Sequence, residues 1–374
     1  MVIDRRNLMV RGSAAIAAAL VPDVPDMAAA AAERTSAARF AATRRSQSGA
    51  YSAAIFDAHG RDHTAVPLPA RGHDIAIARR TGIAVAFARR PGTFAIAFCI
   101  DGRRPPTRFE TPAARHFYGH GVFTADERLL IATENDFENG VGRLGIYDAT
   151  NHFQRIDEID SFGVGPHDLA WDARGEHLIV ANGGIETHPD IGRGRTKLNL
   201  ATMAPNIAVI DFRQRTLAHR LALPHAIHRA SLRHLAVGQQ GTAIVGAQWQ
   251  GDADADTPLV WRLTKADQLE PIRLPRGVLA GLRGYVSSVA IDRSGDIAAL
   301  TSSRAGRIVF VDVSTGRFLG DRHRVDVSGI AAADTATRFV ATTGGGTIAP
   351  VSASHDDIRD AETLWQWDNH AAAI

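Results

Sequence analysis

Five histidines stand at or near the start of short runs of alternating small and branched apolar residues. They are His73, His120, His167, His234 and His370. Neutral imidazole is the commonest side-chain ligand of zinc, copper and iron, so histidines that converge could hold such an ion. The alternative is a structural role, in which each histidine forms hydrogen bonds within its own sheet. Since each one lies directly against the apolar alternation, we expect it on a strand, where the two-residue period decides which way it points.

Further polar residues follow the same strands or occupy the loops beside them. We predict that Glu134 or His188 closes the site that the histidines form. Additional ligand-facing residues are predicted at Asp74, Asp168, Asn135, Asn182, Trp249 and Asn369. The long insertion that carries His188 also contains Arg193, Arg195 and Lys197. We expect these three mainly to keep the loop soluble, with contact to an anionic ligand as the alternative.

The histidines belong to a strand pattern that occurs seven times. Its copies are segments 72–77, 119–124, 166–171, 232–237, 286–291, 327–332 and 368–374. Their aligned polar positions lie 41 to 67 residues apart, which brackets the length of a four-stranded propeller blade. Ser288 and Gly329 interrupt the set of histidines in the fifth and sixth copies. The sequence therefore predicts an all-β, seven-bladed β-propeller whose first strands line a central channel, with the histidines at one mouth.

The two ends of the chain are predicted to complete one blade. Segments 39–43, 51–57 and 64–68 have the features of second, third and fourth strands, whereas 369–374 has those of a lone first strand. The C-terminal strand would therefore close the N-terminal blade and leave only short, protected sheet edges. The alternative is a β-sandwich built from unrelated strands. No long amphipathic helix is predicted in residues 33–374.

Residues 1–32 are predicted to be a signal peptide. Arg5 and Arg6 precede one polar and two apolar residues, a pattern typical of twin-arginine (Tat) leaders. An ordinary secretory leader is the alternative. The apolar stretch that follows is too short for a bilayer span, so no stable membrane span is expected. The predicted organisation is thus a signal peptide over 1–32 and a propeller over 33–374, which we expect to be a monomer in the periplasm.

Charge and cysteine content narrow the function further. Lys and Arg number 42 against 40 acidic residues, and the arginines are scattered along the chain. This argues against the basic stripe of a nucleic-acid-binding protein. The one cysteine, Cys99, lies in an apolar run, so a disulfide within the chain and a thiolate metal cluster are both excluded. Stability must then come from a large hydrophobic core.

Several longer motifs give the chain a family resemblance. They are segments 116–123, 133–136, 181–190, 197–200, 233–236 and 367–370. In these motifs the chain resembles the bacterial family called domain of unknown function 1513, and segment 165–182 resembles the YVTN-type repeat of lactonase-like propellers. The resemblance implies twin-arginine export to the periplasm. Through the gene neighbourhood of that family it also implies a protein partner in an imelysin-type iron-uptake system. It carries over no catalytic residue.

Three functions are compatible with these features. The leading hypothesis is a periplasmic metal-associated protein that handles iron or copper as a binding or redox partner, with zinc as a third candidate ion. The second is a metal-dependent enzyme of the lactonase or hydrolase type, in which a divalent ion activates water. The third is a non-catalytic scaffold that holds another periplasmic protein on its propeller face.

Overall fold

The computed structural model describes residues 39–252, 256–264, 268–354 and 359–374, which fold into seven antiparallel sheets. The predicted signal segment, with Arg5 and Arg6, lies outside the described residues. The described part contains one short α-helix, α1 (Arg276–Gly281), and two 3-10 turns, Gly192–Gly194 and His225–Ile227. No helix in these ranges has the length and hydropathy needed to cross a membrane. The prediction of an all-β, seven-bladed propeller is confirmed.

Each sheet is one blade, and six of the blades are four-stranded meanders. The chain first forms β1 (Arg39–Arg45), β2 (Tyr51–Asp57) and β3 (Asp62–Leu68). Blade 1 contains β4 (Gly72–Ala78), β5 (Ile83–Ala88), β6 (Phe94–Cys99) and β7 (Thr107–Glu110). Blade 2 contains β8 (Arg115–Phe123), β9 (Leu129–Asp136), β10 (Val141–Asp148) and β11 (Gln154–Asp160). Blade 3 contains β12 (Pro166–Trp171), β13 (His177–Asn182), β14 (Asn206–Asp211) and β15 (Thr216–Ala222).

The remaining blades follow in the same order. Blade 4 contains β16 (Ala230–Val237), β17 (Ala243–Trp249), β18 (Val260–Leu263) and β19 (Leu269–Pro271). Blade 5 contains β20 (Ser288–Ile291), β21 (Ile297–Ser302), β22 (Arg307–Asp312) and β23 (Phe318–His323). Blade 6 contains β24 (Val327–Ala332), β25 (Arg338–Thr343), β26 (Thr347–Ser352) and β27 (Ala361–Glu362). The chain ends with β28 (Gln366–Trp367) and β29 (Ala372–Ala373). The first strand of each blade contacts the first strands of its neighbours, so these strands surround the axis.

Blade 7 joins the two ends of the chain, as predicted. Strand β1 pairs with β28 through Arg44 and Trp367, and with β29 through Phe40 and Ala373. The buried Arg44 guanidinium donates to both Asp62 carboxylate oxygens, at 2.6 and 2.5 Å. It also lies 3.7 Å from the centre of the Trp365 ring, within the range of a cation–π contact. Side chains and backbone pairing therefore close the ring together.

The second strand of each blade is apolar on both faces because neighbouring blades cover both. In blade 1, every residue from Ala84 to Ala88 is fully buried. Phe87 extends toward blade 2, where its ring centre lies 5.4 Å from that of Phe117. Small residues alternating with large ones let adjacent sheets pack closely at the narrow centre and fill the wider rim. This packing holds the innermost strands in fixed positions around the axis.

A β-bulge interrupts the innermost strand of several blades at the segment that carries the histidine. The register shifts lie between Gly72 and Ile75, Phe117 and Gly121, Pro166 and Asp168, and Leu232 and His234. A bulge places an extra residue on one strand and redirects its side chain. The bulges therefore break the simple two-residue alternation on which the sequence alignment relied.

Comparing the bulges of blades 3 and 4 corrects the predicted alignment of their histidines. In β12, His167 is the extra residue and Asp168 resumes pairing, whereas in β16 Arg233 is the extra residue and His234 resumes pairing. The alignment that made His167 and His234 equivalent is therefore displaced by one residue. Arg233 occupies the place of His167, and His234 occupies the place of Asp168.

Candidate metal centre

The structure brings all five predicted histidines together on the propeller axis, and each exposes 9% of its surface or less. Their ring centres form a closed circuit in which each neighbour lies 4.5 to 5.2 Å away. The successive distances are 4.9 Å for His73–His120, 5.2 Å for His120–His167, 4.5 Å for His167–His234, 4.6 Å for His234–His370 and 4.6 Å for His370–His73. These five residues are called the histidine cluster below.

Two sets of three histidines have nitrogens close enough to share one ion. The first triad is His73, His120 and His370, and the second is His120, His167 and His234. Within each triad the ligand atoms lie within 4.8 Å of one another. Three atoms at that spacing lie about 2.8 Å from a common centre, whereas a zinc–imidazole bond is about 2.0–2.1 Å long. Small ring movements would therefore bring three nitrogens to bonding distance, and His120 is common to both triads.

The histidine cluster contains six ring nitrogens that have no hydrogen-bond partner among the described residues. They are Nδ1 of His73, Nε2 of His120, Nδ1 of His167, both ring nitrogens of His234 and Nε2 of His370. Buried polar atoms are normally paired, since an unpaired one costs roughly 1–3 kcal/mol. Six in one place is far above that norm. This donor set fits a metal ion of the kind that prefers imidazole.

The protonation of the cluster also suits ligation. Burial, reinforced by neighbouring histidines, lowers the pKa of His73, His167 and His234 well below the usual value. Burial and His120 lower the pKa of His370 to about 3. These four imidazoles are therefore neutral at physiological pH, and only a neutral imidazole has a lone pair to give to a metal.

His120 is held differently, by two carboxylates. Its Nδ1 lies 3.1 Å from an oxygen of Asp74 and 3.3 Å from an oxygen of Asp168. Burial opposes charge on His120, but Asp168 and the hydrogen bond to Asp74 outweigh it and raise the pKa of this imidazole. A carboxylate on one ring nitrogen orients the other nitrogen and makes it more basic, which is how metal-ligating histidines are commonly supported. The predicted residues Asp74 and Asp168 thus contact the cluster through His120.

Glu134 does not join the histidine cluster. Its Oε1 accepts from the Tyr147 hydroxyl at 2.6 Å and from Arg155 Nε at 3.1 Å. Its Oε2 accepts from Arg155 Nη2 at 2.9 Å and from Arg115 Nη1 at 3.3 Å. Both oxygens are therefore engaged within blade 2, and the side chain is fully buried there. The expectation that Glu134 closes the histidine site is replaced by a structural role.

The structure gives His188, Asn135, Asn182 and Trp249 other partners as well. The His188 ring packs edge-on against Phe137 at 5.0 Å and lies near Glu138 and Asp190. Asn135 binds His116 and the carbonyl of Thr187, and Asn182 binds the carbonyl of Ser161 and the side chain of Asn206. Trp249 Nε1 donates to the carbonyl of Asp252. Polarity and position at the end of a second strand, or in the loop after it, indicated these residues, and neither determines which way a side chain points.

Sequence reasoning missed a set of arginines beside the cluster. Arg233 Nη1 lies 3.4 Å from His167 Nε2, and both residues border a cavity of about 30 Å³. Arg89 and Asn369 also line this cavity, and Arg89 lies 3.4 Å from the Asn369 side-chain oxygen. Among the predicted ligand-facing residues, Asn369 is thus placed beside the cluster. Aligning the repeats on the bulge would have shown that Arg233 takes the place of a histidine.

The fold and the cluster together define a class: a seven-bladed β-propeller with five buried imidazoles on its axis that could bind metal. The chain belongs to the family described as "Protein of unknown function (DUF1513)", whose model matches residues 66–374. The family resemblance of the sequence motifs is thereby confirmed. A comparison with curated proteins found no match.

Several solved structures share the fold at low sequence identity. The Pseudomonas aeruginosa periplasmic gluconolactonase PpgL is 12% identical with a TM-score of 0.62, covering 91% of this chain and 99% of that one. Kuenenia stuttgartiensis hydrazine synthase is 10% identical with a TM-score of 0.61, covering 81% and 90%. The β-propeller domain of Myceliophteria thermophila Cps50 (Swd1) is 14% identical with a TM-score of 0.57, covering 82% and 93%. At such identities the likeness shows the fold alone.

Proposed function

We propose that this protein is a periplasmic metal-binding propeller that holds iron, copper or zinc at the histidine cluster and acts in metal handling as a binding or redox partner. One observation carries the proposal: five buried imidazoles converge on the axis with six ring nitrogens that lack a partner among the described residues. Hydrogen bonds normally consume such atoms, and a propeller core has no need of them. Ligation by a metal ion satisfies several of them at once.

The type of donor atom narrows the choice of metal ion. The two triads offer imidazole nitrogen and no thiolate, which suits zinc, copper and iron better than the oxygen-preferring magnesium or calcium. A bound ion would supply Lewis-acid or redox chemistry, according to its identity. The three histidines of either triad would hold it, while Asp74 and Asp168 keep the Nδ1 proton of His120 in place. Ser288, 3.3 Å from His370 Nδ1, orients a second ligand in the same way.

Metal content after reconstitution tests the proposal. The chain is purified in metal-free buffer, loaded with zinc, copper(II) or iron(II), desalted and measured by elemental analysis. We expect wild type to retain at least one of these ions. His120→Ala should retain least because it removes a ligand from both triads, whereas His73→Ala and His167→Ala each impair one.

The matched control is His177→Ala. His177 is a partly exposed histidine that pairs with Asp172 and belongs to neither triad. It should keep the wild-type metal content. Wild type that retains none of the three ions, or a His120→Ala protein that retains as much as wild type, contradicts the proposal.

Location and partner form the less direct part of the proposal, and the leader pattern and the family resemblance support them. Replacing both Arg5 and Arg6 by Lys should keep the protein out of the periplasmic fraction if the twin-arginine route exports it. Export that survives the change would favour the ordinary secretory route. Co-purification with an imelysin-type lipoprotein, present with wild type and lost with His120→Ala, would support a metal-linked partnership. A partner that never co-purifies contradicts that part.

A second candidate function is metal-dependent hydrolysis of a lactone or related ester. The observation that favours it is the small cavity bordered by His73 and His167, one ligand from each triad. A substrate group there would lie beside any ion that the triads hold, and a bound ion can activate water. Turnover of a lactone panel by metal-loaded wild type, absent from His120→Ala, would establish this function. Metal binding without turnover would leave the binding or redox role.

A further inference from the structure

The cavity beside the histidine cluster is unusually rich in positive charge. Four arginines, Arg89, Arg90, Arg195 and Arg233, line it together with His73 and His167. Among the described residues that line it, none is acidic. The nearby carboxylate of Asp368 is bound by Arg89 at 3.1 Å and is shared with Arg71, which it meets at 2.6 Å. One carboxylate thus serves two arginines and leaves three of the lining guanidiniums without an acidic partner there.

The contacts of Arg233 leave its charge largely uncompensated. Arg233 is 9% exposed, and its Nε has no hydrogen-bond partner among the described residues. Its Nη1 faces the neutral imidazole of His167 at 3.4 Å. Arg195 lies at the exposed side of the cavity, where its Nη2 donates to the carbonyl of Arg90 at 3.2 Å. A buried guanidinium such as that of Arg233, with other cations around it, is costly unless an anion compensates its charge.

The size of the cavity selects among anions. Its volume is about 30 Å³, roughly twice the minimum of about 10–15 Å³ that one water requires. Such a small space favours a carboxylate, with its two oxygens, over the bulkier tetrahedral phosphate or sulfate. Arginine presents two parallel N–H groups that match a carboxylate. Tyr118 and Tyr285 add hydroxyls to the lining for a polar ligand.

We propose that this cavity is a carboxylate-binding site that seats a small carboxylate ligand, or the carboxylate end of a larger one, against the histidine cluster. Arg195 and Arg233 are the residues that recognise it. Arg195 comes from the long insertion of blade 3, so that insertion takes part in ligand binding. The site deepens the proposed function by naming a ligand class, and it rests on that function only for contact between the ligand and a bound ion.

The test is a titration of metal-free protein. The full purified chain is treated with a chelator, and its melting temperature is followed against formate or acetate at constant ionic strength, with chloride and phosphate as comparison anions. We expect a saturable rise with formate and acetate and weaker responses with chloride and phosphate. Arg195→Gln should weaken the apparent affinity by about tenfold or more, since it removes a charge-assisted contact. Arg233→Gln should do the same.

The matched control is Arg193→Gln, an exposed arginine two residues away on the same insertion, which should behave as wild type. Arg195 is exposed enough for its variant to fold even if Arg233→Gln does not. An equal response to all four anions, tighter binding of phosphate, or an unchanged Arg195→Gln protein would overturn the proposal.

Metal analysis separates this proposal from the proposed function. Arg195→Gln should retain the wild-type metal content because Arg195 belongs to neither triad. A wild-type chain that binds acetate but no metal supports the carboxylate site and contradicts the metal site. A chain that binds metal but shows no saturable response to formate or acetate does the reverse.

Discussion

The two carboxylates on His120 allow the metal proposal to be tested without touching a ligand. Asp74 and Asp168 lie 3.1 and 3.3 Å from His120 Nδ1, and that nitrogen must donate to them for Nε2 to keep a lone pair. Replacing such a supporting carboxylate typically costs 10- to 100-fold in metal affinity. Because the two carboxylates share one N–H, either can partly cover the loss of the other. We expect about tenfold weaker zinc binding for Asp74→Asn or Asp168→Asn, and about a hundredfold for the double variant.

In free energy these losses correspond to about 1.4 and 2.8 kcal/mol. Competition with a chromophoric chelator at fixed pH measures them, with circular dichroism to verify that each variant folds. Asp172→Asn is the matched control because it removes a carboxylate from the His177–Asp172 pair, at a similar 3.1 Å, away from the cluster. A double variant that binds zinc as tightly as wild type would refute the assignment of His120 as a ligand. So would an equal loss in Asp172→Asn.

Three further predictions concern the frame of the site. Glu134→Gln should lower the free energy of unfolding by about 3 kcal/mol in chemical denaturation, because it removes a fully buried partner of two arginines; exposed Glu138→Gln is the control and should change it little. Burial raises the pKa of the Glu158 carboxyl, but Arg115 and Arg155 outweigh it and hold that pKa at about 2. The stabilisation of the fold by this carboxylate is therefore complete above about pH 4.5 and is lost as the pH falls toward 2. After allowance for solvent screening this amounts to about 1 kcal/mol, and Glu158→Gln should flatten the acid limb of the stability profile by that amount. Gly119→Ala should reduce zinc content, since Gly119 has a φ of +110° and an added Cβ would lie 2.4 Å from Cδ2 of His73; unchanged zinc content would show that the His73 ring can move without loss.

The fold was predictable because its signals are local and repeated. A blade buried on both faces requires apolar residues throughout its second strand, and its first strand must carry small residues to fit near the axis. These requirements recur seven times, so a pattern that is weak in any one blade becomes strong in the set. The predicted closure of blade 7 followed from the same pattern, because β1 begins where a second strand belongs. The pairing of Phe40 with Ala373 confirms it.

The site was predictable in part. Strand position brought the five histidines to the axis, but the equivalence of His167 and His234 was wrong. Both strands have a one-residue bulge at the same place, and the extra residue is His167 in β12 and Arg233 in β16. Matching histidine to histidine, rather than segment to segment, shifted the alignment by one residue. Glu134 illustrates a different difficulty. It stands at the predicted end of the channel, but Arg155, far along the chain on β11, determines where its carboxylate goes. The spacing of residues around Glu134 does not reveal an ion pair with a partner on another strand.

The histidine cluster and the arginine-lined cavity are close enough for the charge of a ligand in one to affect binding in the other. A cation at the histidine cluster would be repelled by Arg233, and Arg90, Arg195 and Arg233 lie together in the cavity lining with no acidic partner among the described residues there. A carboxylate bound to these arginines would offset both the repulsion and the unpaired positive charge. It would therefore lower the cost of holding a metal ion at the histidine cluster. By thermodynamic reciprocity, the ion would strengthen carboxylate binding by the same factor. The two proposed sites together predict that a metal ion and a carboxylate each bind more tightly when the other is present.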